Sequence, residues 1–231
     1  MNDPTWKTIG ILGGMGPEAT AELYKRIVGI CQRDFGAKYD SDFPPIVLYN
    51  MPLPDIVENK GDPELISAVI TDGLSKLENA GCDFVAVPCN TVFAYISRPP
   101  AGILDIVKKT ADFVRSKGMK KVGLIATRNT IKNRLYEKAL EGVEILQLPE
   151  ASQIQVNDII MRILSGEKRY EDKQRLVELI KNLAEEAAEA VILGCTELPL
   201  LISTNDSEIF LVDTLQVLAE ATVKNARIDF I

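Results

Sequence analysis

Two cysteines stand where their neighbours give them chemical use. Cys89 follows the apolar run Val85-Ala86-Val87-Pro88 and precedes Asn90 and Thr91. Cys195 follows Val191-Ile192-Leu193-Gly194 and precedes Thr196 and Glu197. Each reads as a buried strand delivering a thiol and polar neighbours to its C-terminal end, the place where open α/β sheets bind ligands. A helix starting just beyond each cysteine would favour the thiolate and lower the thiol pKa. Cys31, inside a predicted helix, and Cys82, before a strand, fit the ordinary role of cysteine as a small buried hydrophobe.

The chain contains no histidine. That excludes Ser-His and Cys-His nucleophile arrangements and leaves Cys, Asp, Glu, Lys or Tyr as the general base. The four cysteines form no C-x-x-C pair, which argues against a structural zinc site. A net charge of −7 argues against nucleic acid as a partner. No apolar run approaches the ~18 residues a membrane span requires. The start Met1-Asn2-Asp3-Pro4-Thr5-Trp6 has neither the basic region nor the apolar core of a signal peptide, so the expected location is cytoplasmic, with reduced thiols.

The elements that must position these residues alternate. Lys7 to Gly13 is a short apolar strand, Gly13-Gly14-Met15-Gly16 a tight loop, and Pro17 opens a helix to about residue 34. A strand over 45–50 is followed by the turn Met51-Pro52-Leu53-Pro54. Asp62-Pro63-Glu64 has the form of a helix start, and the helix ends at Gly81 before the strand that reaches Cys89. Residues 97–102 read as a connection and 103–104 as a short strand. A helix over about 105–117 and a strand over 121–126 lead to the polar loop Thr127-Arg128-Asn129-Thr130, and a helix then runs to about 141. A strand over 143–148, helices over 151–165 and 171–188, the strand to Cys195, a strand over 209–212 and a final helix capped by Asp213 complete the chain. This alternation predicts an α/β fold of parallel strands flanked by helices.

The halves echo each other. Lys7 to Leu12 matches Lys120 to Ile125, and the run from Phe84 through Cys89 matches that from Ala190 through Cys195. A true repeat would make two similar halves whose thiols meet across a pseudo-twofold axis. Gly14-x-Gly16-x-x-Ala19 formally fits a dinucleotide fingerprint, but the next strand ends in Tyr49-Asn50 instead of the acid that holds ribose. The loop still offers N–H groups at a helix start, suited to an anion such as a carboxylate.

Taken in order, Ile9 to Pro17, Pro88-Cys89-Asn90-Thr91, Ala126-Thr127 with Thr130, and Gly194-Cys195-Thr196-Glu197 resemble the aspartate/glutamate racemase superfamily, nearest its aspartate racemase branch. The resemblance spans essentially the whole chain. It implies two pseudosymmetric α/β halves, each a mainly parallel sheet, with the active site in the cleft between them. The expected division is 1–102 and 103–212, with 213–231 packing back on the first half. It also implies a homodimer, a small amino-acid substrate, most readily aspartate, and no pyridoxal phosphate, metal or nucleotide cofactor.

In this reading Cys89 and Cys195 flank the α-carbon, one removing a proton as thiolate while the other delivers one as thiol. Asn90, Thr91, Thr127, Asn129, Thr130 and Thr196 are candidates for holding the α-carboxylate and amine. Met15 and Asn50 lie on loops that line the pocket in relatives. Glu197 is either a substrate contact or an acid at a helix start. Relatives often carry an Arg and a Lys for the side-chain carboxylate at the places where Ile56 and Leu164 stand here. Lys60, Arg128, Arg162 and Lys168 are the candidate replacements. Two alternatives remain open from the residues: a related cofactor-independent isomerase, decarboxylase or racemase of another small acid or amino acid, and a non-catalytic protein that binds a small carboxylate.

Overall fold

The structure, a computed structural model, describes residues 6–57, 61–96 and 102–228. The first sheet contains β1 (Ile9–Gly13), β2 (Ile46–Asn50), β3 (Phe84–Ala86) and β4 (Ile103–Leu104), in the order β2-β1-β3-β4. The second contains β5 (Lys121–Ala126), β6 (Glu144–Gln147), β7 (Ala190–Gly194) and β8 (Phe210–Asp213), in the order β6-β5-β7-β8. All pairings within both sheets are parallel. The sequence echo is therefore a repeat of topology: β1 corresponds to β5, and β3 to β7. The expected boundary after residue 102 falls one strand early, because Ile103 and Leu104 pair with Val85 and Ala86 and complete the first sheet.

The helices are α1 (Pro17–Phe35), α2 (Pro63–Asn79), α3 (Ile106–Ser116), α4 (Arg128–Lys132), α5 (Leu135–Ala139), α6 (Glu150–Leu164), α7 (Tyr170–Glu185) and α8 (Thr214–Ala226). Their starts follow local chemistry. Pro17 and Pro63 occupy first positions, where a missing N–H costs nothing. Asp62, Asp105 and Asp213 cap α2, α3 and α8 by accepting from first-turn backbone N–H groups. The polar loop expected over 127–130 is instead the cap and first turn of α4, because the Thr127 hydroxyl accepts from Thr130 N. The helix expected to reach about 141 is broken at Arg134, whose φ of 54° is left-handed.

The two faces of the second sheet build two cores. Val122, Leu124, Ala126, Ala190 and Ile192 face a central core shared with the first sheet, α3 and α8. Ile125, Val191 and Leu193 face a second core under α6 and α7. That division is the period of two expected of strands buried on both sides. The last helix crosses back: α8 packs against α1 and α3. No helix among the described residues is long and apolar enough to cross a membrane.

Candidate active site

In each sheet the chain leaves its central strand to one side and returns on the other. The strand order therefore reverses between β1 and β3, and between β5 and β7. The C-terminal ends of strands at such points form crevices. Here the four loops that leave β1, β3, β5 and β7 line one cavity of about 150 Å³. They bring to it Gly14 to Pro17, Cys89 to Thr91, Thr127, and Cys195 to Glu197. The loop after β2 closes one side with Leu53 to Val57, and Leu164, the last residue of α6, reaches in from another.

Both thiols are buried in this cavity wall. Their pKa values move opposite to the expectation. Burial pushes Cys89 up to about 12, and the charge of Glu197 adds to it, while the backbone N–H groups of Val92 and Thr91 oppose the rise. Cys195 is held well above the ordinary thiol value by burial, by the charge of Glu197 and by their hydrogen bond. The expected helix starts are only 3-10 turns over Thr91–Ala94 and Leu198–Leu200, so desolvation outweighs the backbone dipoles.

Glu197 is the least local feature of the site. Its Oε2 accepts from Cys195 Sγ at 3.0 Å and is 3.2 Å from Thr196 Oγ1, while Oε1 accepts from Gly16 N at 3.2 Å. The anion at the glycine loop is thus the protein's own carboxylate, where the sequence left room for a ligand's. Burial raises the Glu197 pKa against the hydrogen bonds from Cys195, Gly16 and Thr196. Gly16 leaves room for two side chains. A Cβ on it would stand 2.7 Å from Leu164 Cδ2 and 3.0 Å from Glu197 Oε1, and one of them would have to shift. Gly14 sits at φ 96°, against the Met51 backbone.

The expected polar residues divide between the cavity and its support. Met15, Asn90, Thr91, Thr127, Thr196 and Glu197 line it. Thr130 stands behind, 3.0 Å from Thr127 Oγ1 and 3.2 Å from Thr91 Oγ1, in a cluster of hydroxyls that joins the halves. Asn129 is buried and turned to the β2 loop: its Nδ2 donates to Ile56 O at 2.9 Å and to Tyr95 Oη at 2.8 Å. Asn50 is exposed at the end of β2, outside the cavity lining, because its strand is at the edge of the sheet. Asn90 is held from both ends, its Oδ1 accepting from Tyr136 Oη at 2.7 Å and its Nδ2 donating to Thr214 Oγ1 at 3.3 Å.

Sequence reasoning missed Leu53, Pro54, Asp55 and Val57 as cavity residues. Their one sequence signal was the proline-rich turn after a strand end. Among the described residues no group of three or more His, Cys, Asp or Glu is placed to hold a metal ion.

The sequence pattern of the Asp/Glu/hydantoin racemase family matches residues 12–222, which include all four cavity loops. The chain belongs to this family. It is 33% identical over 224 residues to the broad specificity amino-acid racemase RacX of Bacillus subtilis, covering 93% of this chain and 96% of that protein. Its fold superimposes on the Picrophilus torridus aspartate racemase with a TM-score of 0.80, at 27% identity and 96% coverage of both chains. An aspartate racemase homologue from Pyrococcus horikoshii gives a TM-score of 0.75 at 29% identity, covering 95% of this chain and 98% of that one.

Proposed function

We propose that this racemase-family protein interconverts the enantiomers of an α-amino acid without an external cofactor, moving the α-proton between Cys89 and Cys195. The observation that carries the reading is the meeting of two thiols, from corresponding strand ends of two matching sheets, in one small cavity. Binding alone has no need of both.

In the reactive form one sulfur is a thiolate and the other a thiol. The thiolate takes the Cα proton, leaving the electron pair on the α-carbon and carboxylate. The opposite thiol gives its proton to the other face of Cα and becomes the thiolate. One proton is taken and one given, so a turnover leaves the two cysteines in exchanged roles. Asn90, Thr91, Thr127 and Thr196 line the same cavity and offer donors for the carboxylate as charge develops on it. Glu197 Oε2 accepts a hydrogen bond from the Cys195 thiol and biases that sulfur toward the thiol form.

Solvent deuterium incorporation at Cα tests the reading. Each enantiomer of a panel of amino acids is incubated with the protein in D2O and followed by mass spectrometry. Exchange with inversion is expected for at least one pair and is expected to be lost in Cys89→Ser and Cys195→Ser. A folded wild type that exchanges no amino acid refutes the proposal. Aspartate is the narrower expectation, favoured by the likeness to the Picrophilus torridus aspartate racemase. It requires a positive group for the second carboxylate.

A further inference from the structure

The apolar part of the cavity lining bears on that requirement. It consists of Leu53, Pro54, Ile56 and Val57 from the β2 loop and Leu164 from the end of α6, beside the thiols and hydroxyls. The charged side chains among the described lining residues are Asp55 and Glu197, both acids. No described Lys or Arg lines the cavity.

Of the four cations placed nearby in sequence, the three that the structure describes have acidic partners outside the cavity lining. Arg162 makes a two-pronged pair with Asp172, Nε to Oδ2 at 2.8 Å and Nη2 to Oδ1 at 2.6 Å, and the Asp172 carboxylate is buried. Withdrawing such an arginine strands a buried charge. Arg128 pairs with Glu150, and Lys168 with Glu18 at the start of α1. Lys60 lies outside the described residues.

The two main apolar contacts differ: Ile56 is held in the interior, while Leu164 is 38% exposed at the cavity's edge. Ile56 is buried, and its carbonyl is tied across the cleft by Asn129 Nδ2 at 2.9 Å. Leu164 abuts the glycine loop closely enough that a Cβ on Gly16 would meet it.

Resting on the racemase reading above, we propose that this part of the cavity selects amino acids with uncharged aliphatic side chains and rejects dicarboxylic ones, with Ile56 and Leu164 as the specificity-determining contacts. An aliphatic side chain gains apolar contact with Ile56 and Leu164 there. A second carboxylate gives up water, meets the buried Glu197 and finds no cation among the described lining residues. In an apolar pocket one methylene is worth roughly 10- to 200-fold in kcat/KM. The preference for an aliphatic substrate over aspartate is therefore expected to be about tenfold or more.

The test is kcat/KM from deuterium incorporation at Cα for alanine, 2-aminobutyrate, norvaline, leucine, aspartate and glutamate, on the full chain. The expected result is at least one aliphatic pair about tenfold or more above both dicarboxylates. Leu164→Lys is expected to move the ratio toward aspartate by about tenfold, since it adds the missing charge at the contact. Wild-type turnover of aspartate or glutamate at or above every aliphatic substrate overturns the inference. So does aspartate turnover that falls selectively in Lys60→Ala, which would make Lys60 the missing cation. Absence of exchange with all six substrates overturns this inference, and extending the panel to polar and aromatic amino acids then decides whether the racemase reading falls with it.

Discussion

At Cys89 no carboxyl hydrogen-bonds the sulfur, although the charge of Glu197 still raises its pKa. Backbone N–H groups of Val92 and Thr91 favour its thiolate, and the next residue, Asn90, is clamped by Tyr136 and Thr214. At Cys195 a buried carboxyl accepts a hydrogen bond from the thiol, and the same carboxyl accepts from Gly16 N of the other half. The two loops follow corresponding strands in sheets of identical order. Topology therefore makes the thiols alike in position, while the residue two places further on makes them unlike in charge. Position two after Cys89 is Thr91, a hydroxyl; position two after Cys195 is Glu197, an acid. A repeated fold can bring two thiols to one cavity and still give them different neighbours.

The comparison breaks most decisively if one thiol is dispensable. Cys89→Ser and Cys195→Ser are each expected to lower kcat in both directions by about 10³-fold, within the range of acid–base catalysis, with the fold retained by circular dichroism. A variant that keeps wild-type racemisation would reduce the pair to one base.

Next in size is the pH dependence. The reaction requires a thiolate, and the Cys89 pKa is pushed up to about 12. Below that pKa the thiolate fraction grows with pH, so kcat/KM is expected to rise roughly tenfold per unit between about pH 7 and pH 9. A flat profile over that range would mean that the thiols titrate far lower than burial implies.

Glu197→Gln sharpens the contrast between the loops. Removing a negative charge that raises both thiols lowers both pKa values, and that of Cys195 more, because its thiol is hydrogen-bonded directly to the carboxylate and the amide that replaces it is a weaker, uncharged acceptor. The pH–rate profile is expected to move about one unit toward acid. Peptide mapping after iodoacetamide treatment is expected to show Cys89 alkylated before Cys195 in wild type, and no such order in the variant. The same order in both would remove Glu197 as the source of the asymmetry.

The smallest effect concerns the neutral loop. Tyr136→Phe leaves Asn90 Oδ1 without its buried donor, and it is expected to cost about 1–2 kcal/mol in urea unfolding while raising KM more than it lowers kcat. A fall in kcat equal to that of a cysteine variant would place Tyr136 among the groups that move protons.

Much of the scaffold was legible along the chain because its signals are local. Apolar runs in β1, β5 and β7, prolines at the starts of α1 and α2, and aspartates at the caps of α2, α3 and α8 each act over a few residues. The cysteine loops were legible for the same reason: a strand ends, and a thiol and polar residues follow. The break at Arg134 was not, since its left-handed backbone leaves no mark in a sequence that is otherwise helical. Nor was the outward placement of Asn50, which depends on β2 being an edge strand.

By itself, then, the sequence determined the alternating architecture, the pairing of two thiol-bearing strand ends and a chemistry that works without histidine. Tertiary structure alone decided the electrostatics of the site. The glycine loop and Glu197 are 181 residues apart, and only folding brings them into a hydrogen bond. The lift in both thiol pKa values comes first from burial, which is a property of the assembled cleft. The apolar wall likewise joins Ile56 of one half to Leu164 of the other. Water exclusion and charge proximity act through space, and a one-dimensional pattern does not encode which distant residues will share that space.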